Sequence, residues 1–130
     1  MKTQNFLKIG FCLFLVLLSF SCGKGSGDVV DSLIPDLTAT WTNTADATDN
    51  YFFLNATPNV ASSTFDGNEV INGTLTNTFT GSFQNSKINF TFNSGPKNTT
   101  KYSGTIKGTA PNATMTLTTP SGTITLQQHQ

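Results

Sequence analysis

Apolar and polar residues alternate through the C-terminal two-thirds of the chain. The residues between the apolar positions are mostly Thr, Ser, Asn, Lys and Gln. A period of two is typical of β-strands that bury one face and expose the other, as in antiparallel sheets. The sets that share a face are Leu37, Ala39 and Trp41; Ile71, Gly73 and Leu75; Phe79, Gly81 and Phe83; Ile88, Phe90 and Phe92; Tyr102, Gly104, Ile106 and Gly108; Met115 and Leu117; and Ile124 and Leu126. No window has a convincing helical period, so the pattern predicts an all-β domain.

Turn-forming residues divide this pattern into short segments. A tight connection is predicted at 84–86, a longer loop at 94–98 and a type I turn at 119–122. The prolines of this region fall between the segments, as strand hydrogen bonding requires: Pro35, Pro58, Pro96, Pro111 and Pro120. We therefore predict a small antiparallel up-and-down meander of eight or nine strands.

Such a meander can bury its apolar face in a barrel or in a sandwich. The barrel is favoured because closure removes both exposed edges. Glycines at inward positions also permit the tight coiling of a small barrel, and the pattern assigns Gly73, Gly81, Gly104 and Gly108 to such positions.

The first 36 residues have a different character. Lys2 and Lys8 precede an apolar run at 11–18, and small polar residues follow it at Ser19 and Ser21. This order is that of a secretory signal peptide. The run has only about a dozen apolar positions, too few for the roughly 20 that a membrane-spanning helix needs. The predicted organisation is a signal peptide at 1–21, a flexible tether at 22–36 and a barrel domain at 37–130.

The end of this signal segment, Ser19-Phe20-Ser21-Cys22-Gly23, resembles the lipobox of bacterial lipoproteins of the Bacteroidota type. The resemblance implies cleavage before Cys22, lipidation of Cys22, and a lipid anchor that holds the protein at the membrane of the cell envelope, with the outer membrane expected. The only other cysteine, Cys12, lies in the predicted signal peptide, so no pair remains for a disulfide. The segment around Ser32 (Asp31-Ser32-Leu33) resembles the O-glycosylation acceptor of secreted Bacteroidota proteins.

Residues 37–130 resemble the lipocalin-like (calycin) lipoproteins. The resemblance rests on the early Trp41, the Gly- and Thr-rich strands and the closing segment 122–126. It implies a barrel that binds a small hydrophobic ligand. The candidate pocket residues are aromatic: Trp41, Phe53, Phe83, Phe90 and Tyr102. Two functions stay open: a ligand-binding module, and a structural or protein-interaction lipoprotein whose aromatic residues fill a solid core.

Charged residues give little support to other functions. Every positive charge is a lysine, and the chain after the signal peptide carries five lysines against seven acids, a net charge of about −2. Nucleic-acid binding is not expected, because there is no Arg-rich, aromatic-interleaved basic patch. The only histidine, His129, lies one residue from the end of the chain, and because chain ends fray we do not expect it to act as a fixed base or metal ligand.

Carboxylates offer the remaining candidates for chemistry. Asp46 with Asp49, and Asp66 with Glu69, are the pairs that could act as acid and base on a glycan. The segment Asp66-Gly67-Asn68-Glu69 also has oxygen ligands suited to Ca²⁺. Both pairs are expected in turns between strands, where Asp has a structural role. We predict that the protein is not an enzyme and uses no cofactor or metal.

Overall fold

The computed structural model describes residues 35–129, and the predicted signal peptide, Cys22, Ser32 and most of the tether lie outside them. Within these residues the chain forms eight strands and no helix. Their bounds are β1 Thr40–Asn43, β2 Asp46–Leu54, β3 Ser62–Ile71, β4 Thr74–Gln84, β5 Lys87–Phe92, β6 Lys101–Lys107, β7 Thr114–Thr119 and β8 Gly122–His129. Residues 35–129 therefore contain no helix that could cross a bilayer.

The strands form a closed barrel in which each strand pairs with its neighbours in the sequence. All pairs are antiparallel, and the barrel closes where β1 pairs with β8, with Trp41 opposite Gln128. The predicted up-and-down meander is confirmed, and the barrel rather than the sandwich is formed. Closure leaves no unpaired edge, which removes the site at which sheets usually aggregate.

Two sets of connections lie at opposite ends of the barrel. We call the end formed by residues 35–39 and the connections 55–61, 85–86 and 108–113 the near end, because the described chain begins there. The far end is formed by the connections 44–45, 72–73, 93–100 and 120–121. Because the strands are antiparallel, every second strand ends at the same end of the barrel, and side chains near these strand ends can contact one another.

Aromatic side chains fill the barrel interior. The buried core includes Trp41, Tyr51, Phe53, Phe65, Phe79, Phe83, Phe90, Phe92 and Tyr102, with Ile88, Ile106, Met115, Leu117 and Leu126. Neighbouring rings are in contact, and the closest pair, Phe79 and Phe90, has centroids 4.5 Å apart. The predicted inward face of β4 and β5 is confirmed, with Thr80 and Asn89 on the exposed side.

The near end is covered by the segment that precedes β1. Leu37 is buried, and its carbonyl lies 3.4 Å from the indole nitrogen of Trp41, which donates a hydrogen bond to it. The side-chain amide of Gln128 donates to the carbonyl of Asp36 at 2.8 Å. These contacts hold residues 35–38 over the barrel interior.

One predicted strand proved to be a hairpin. Ile71, Gly73 and Leu75 were expected to share a face, but Asn72 and Gly73 form a two-residue turn between β3 and β4. Their φ angles are 53° and 75°, and two consecutive positive φ angles are the requirement of a type I′ turn, for which Asn-Gly is the preferred sequence. Consequently Leu75 is exposed rather than buried.

Two of the four glycines expected to point inward do so. Gly81 and Gly104 lie within β4 and β6, at positions between buried residues. Gly73 and Gly108 lie in connections instead, each with a positive φ. Close approach explains the glycines in the strands, since a Cβ on Gly104 would meet the backbone of Thr116.

Candidate functional site

The far end of the barrel contains a group of buried polar side chains, which we call the far-end cluster. It consists of Asn43, Asp49, Tyr51, Glu69, Asn77 and Lys97. Five of these come from β1 to β4, and Lys97 comes from the connection between β5 and β6. The cluster lies next to the aromatic core, because Tyr51 and Phe79 are neighbours with ring centroids 6.3 Å apart.

Strand geometry explains why these polar groups point inward. In β2, Asp49 is four residues and Tyr51 two residues before the buried Phe53, and all three occupy the same face. In β3, Glu69 is two residues after Gly67 and four residues after the buried Phe65, again on the same face. The period of two therefore takes both carboxylates into the barrel, although carboxylates are almost never fully buried without partners.

Glu69 is the centre of the far-end cluster. Its side chain is 0% exposed, whereas that of its ion-pair partner Lys97 is 30% exposed. Oε1 accepts hydrogen bonds from the Lys97 ammonium and from the Tyr51 hydroxyl, the latter at 2.6 Å. Oε2 accepts one from the side-chain amide of Asn77. Three donors on one carboxylate compensate for the loss of its hydration.

Lys97 lies across the mouth of the barrel at the far end. Its ammonium nitrogen is 5.3 Å from the centroid of the Phe92 ring and 5.4 Å from that of Tyr102, within the range of cation–π attraction. Burial lowers the pKa of Lys97, but hydrogen bonding to Glu69 and Tyr102 outweighs burial and raises the pKa above its ordinary value. Lys97 is therefore held as an ammonium ion in this arrangement.

The burial of the Asp49 carboxylate is less well compensated by hydrogen bonds than that of Glu69. Its Oδ2 accepts a hydrogen bond from Asn43 at 3.0 Å and lies 3.3 Å from the Tyr51 hydroxyl. Its Oδ1 is buried and has no hydrogen-bond partner among the described residues. Burial raises the pKa of Asp49, and the nearby charge of Glu69 adds to the increase. Burial also raises the pKa of the Tyr51 phenol, as does its hydrogen bond to Glu69, so Tyr51 stays protonated.

The carboxylate pairs expected from the sequence are not brought together. Asp46 and Asp49 lie in β2, and Asp66 and Glu69 lie in β3, so the expectation of turns at these positions was wrong. Asp46 and Asp66 are exposed, while Asp49 and Glu69 point inward. The inward acids approach each other instead, through the hydroxyl of Tyr51.

The other candidate sites can be placed as well. The proposed calcium segment 66–69 is extended strand, with Asp66 and Glu69 on opposite faces. Across residues 35–129, no group of three His, Cys, Asp or Glu side chains is arranged to hold a metal ion. His129 is exposed and lies in β8, opposite Thr40.

The five candidate pocket residues are all buried side chains of the core. Their exposures lie between 0% for Trp41 and 6% for Tyr102, with Phe53, Phe83 and Phe90 between these values. Two grooves on the described part of the molecule are lined by none of the five. One, of about 370 Å³, lies on β3 and β4 among Thr64, Asp66 and Thr80. The other, of about 140 Å³, lies at the near end between segments 35–38 and 56–59.

Sequence reasoning missed the far-end cluster, although part of its signal was present. The pattern Asp49-x-Tyr51-x-Phe53 continues an alternation whose inward members include an acid, and Phe65-x-Gly67-x-Glu69 does the same. Extending the alternation through the acids would have placed them inside. The partners Asn77 and Lys97 have no such signal, since their role depends on which strands become neighbours.

Comparisons with known proteins do not assign a family. No protein-family model, no curated protein and no solved structure matches this chain.

Proposed function

We propose that this protein is a lipid-anchored component of the bacterial cell envelope whose barrel acts by contacting other envelope proteins. In this proposal the barrel has a solid interior, catalyses no reaction of an external substrate and carries no small molecule. The observation that supports it most directly is the packing of the core. A ligand-binding barrel needs an enclosed cavity of about 300–1,000 Å³, and here the aromatic side chains occupy the interior themselves.

Ring-to-ring contacts inside the barrel support this proposal. Phe90 has Phe79 at 4.5 Å, Tyr102 at 5.4 Å and Phe92 at 5.7 Å between ring centroids. These separations fall within the range of directly packed aromatic pairs. A ligand could enter the barrel only by displacing aromatic rings that already pack against one another.

Two exposed apolar side chains on the outer wall, one near each end of the barrel, offer contacts for a partner. Leu54 is 43% exposed and Leu75 is 58% exposed. Leu75 pairs with Val70 across β3 and β4, and Val70 is only half-buried. The remaining outer surface is rich in Thr and Ser hydroxyls, which suits a polar rim around such contacts.

Membrane attachment in this proposal comes from the sequence around Cys22. Cys22→Ala should release the protein from membrane fractions and leave an unprocessed precursor. If the variant is still processed and still sediments with membranes, the anchor is not at Cys22.

The interaction role is tested by photo-cross-linking in intact cells. A photoreactive residue at Leu75 should give a discrete higher-mass adduct, and the same residue at the exposed Thr123 on β8, on the opposite wall, should not. The same adducts from both positions, or none from Leu75, would contradict a specific partner at this surface.

A second candidate function is the binding of a small hydrophobic ligand, as in lipocalin-like proteins. The near end favours it, because the short segment 35–38 contacts Trp41 there, and the Oε1 atom of Gln128 has no hydrogen-bond partner among the described residues. Titration of the purified chain with an environment-sensitive apolar dye separates the two functions. Saturable binding that raises the melting temperature would support the ligand-binding barrel and overturn the solid one.

A further inference from the structure

The far-end cluster has a feature that its structural role leaves unexplained. One buried carboxylate, Glu69, touches an amine through Oε1 and a primary amide through Oε2. The amine is Lys97 and the amide is Asn77, which is 1% exposed. A nucleophile, an electrophilic carbonyl derivative and a shared acid–base group are the components of an acyl transfer.

The Asn77 side chain is also polarised for attack. Its Oδ1 accepts a hydrogen bond from the backbone N–H of Lys97 at 2.9 Å. A donor at this position stabilises negative charge on the oxygen when the carbon becomes tetrahedral. The connection carrying Lys97 approaches so closely that a Cβ on Gly95 would collide with the Asn77 amide, and Gly95 has a φ of 77°.

The surroundings exclude water from the Glu69 carboxylate and the Asn77 amide. Glu69 is fully buried, Asn77 is nearly so, and the rings of Tyr51, Phe92 and Tyr102 surround the Lys97 ammonium. Water exclusion disfavours hydrolysis of the amide and strengthens the effect of each charge and hydrogen bond.

We propose that Lys97 and Asn77 form an intramolecular amide cross-link, with Glu69 as the catalytic acid–base. The link joins Lys97 Nζ to Asn77 Cγ and fastens the connection 93–100 to β4. It would supply covalent reinforcement to an exported domain in which residues 37–130 contain no cysteine. The cross-link is independent of whether the barrel binds a ligand or a protein.

The reaction balances without an oxidant or a co-reactant. Glu69 accepts a proton from Nζ through Oε1, and the free amine attacks Asn77 Cγ to form the new C–N bond. Glu69 returns a proton to Nδ2 through Oε2, the Cγ–Nδ2 bond breaks, and the carbonyl re-forms. Nζ loses two protons in all, and both leave on the departing nitrogen as ammonium. The high pKa of Lys97 makes the amine form rare, but the reaction needs to occur only once in each molecule.

The test is mass spectrometry of the full chain purified from membranes. The mass of the Lys97→Arg variant, corrected for the difference between Arg and Lys, gives the mass of the chain without a cross-link. The wild-type chain should be lighter than this by the mass of one ammonia molecule. Comparison with a variant cancels the mass of any attached lipid. Lys101→Arg, at an exposed lysine on β6, is the matched control and should retain the loss.

Tryptic digestion locates the link. The digest should contain a branched peptide that joins residues 25–87 to residues 88–101, with no cleavage after Lys97. Glu69→Gln and Lys97→Arg should each give unbranched peptides. Wild-type protein of unaltered mass, or cleaved normally after Lys97, would overturn the proposal. A loss of ammonia without the branched peptide would overturn it too, because Asn72-Gly73 can lose ammonia by forming a succinimide.

Discussion

Replacing Phe90 by alanine tests whether the interior of the barrel is a packed core. Phe90 is 2% exposed, and its ring lies between 4.5 and 6.4 Å from those of five neighbours. Truncation of a buried Phe costs ~3–5 kcal/mol, and each lost aromatic pair is worth ~0.5–1.5 kcal/mol beyond burial. We therefore expect a loss near the upper limit, about 5 kcal/mol, which approaches the whole stability of a domain of this size.

The assay is urea unfolding of the chain from Gly23 onward, with Thr91→Ala as the control. Thr91 follows Phe90 in β5 and points to the other side of the sheet, so its truncation should change the free energy of unfolding by only about 0.5 kcal/mol. A Phe90→Ala loss below about 1 kcal/mol would refute a packed core. Recovery of stability on adding an apolar compound would show that the side chain lines a binding cavity.

Two further substitutions test the far-end cluster and the closeness of the strands. Asp49→Asn removes a buried charge with an unpartnered oxygen, so the free energy of unfolding at pH 7 should rise by about 1 kcal/mol. Because the folded-state pKa of Asp49 is raised, wild-type protein gains stability as the pH falls through that pKa, and the advantage of the variant should shrink in acid. Asp46→Asn is the opposite control, because hydrogen bonds from Thr48 lower the pKa of Asp46 and the charged carboxylate therefore stabilises the fold. Asp46→Asn should accordingly lower the free energy of unfolding at neutral pH. If the advantage of Asp49→Asn does not change with pH, the assignment of the shift is wrong. Gly104→Ala would place a Cβ under 3.0 Å from the backbone of β7, so urea unfolding should show a loss of about 3 kcal/mol, against almost none for Ser103→Ala on the exposed face; equal effects would contradict the close approach of β6 and β7.

The barrel could be predicted from the sequence because its determinants are local. Alternation fixes which residues of β4 and β5 face inward, and Pro and Asn positions mark the connections. The core residues Phe79, Phe90 and Leu117 follow from this pattern alone. Closure into a barrel could be argued only as the better of two solutions, since the pairing of β1 with β8 joins the most distant strands.

The far-end cluster could not be predicted because its determinants are distant in sequence. Glu69 and Lys97 are separated by 28 residues, and their contact depends on the pairing of β3 with β4 and on the path of the following connection. Burying a carboxylate without partners is unfavourable for folding, so an exposed turn was the reasonable expectation for residues 66–69. Only the partners of Glu69 make its burial acceptable.

A single irregularity links the far-end cluster to the exposed side chain of Leu75. The register of β3 and β4 shifts between Glu69 and Val70, so Glu69 pairs with Asn77 while Val70 pairs with Leu75. Thr76 is left as the extra residue of a β-bulge, and the alternation reverses across it. Without the bulge, Leu75 and Asn77 would share a face. Either Leu75 would then be buried within the far-end cluster, or the side-chain amide of Asn77 would point to solvent. Because of it, Asn77 reaches Glu69 inside the barrel and Leu75 lies outside, where a partner can contact it. The bulge leaves no mark in the pattern of apolar residues, which explains why one local error at Leu75 accompanied the failure to find Asn77.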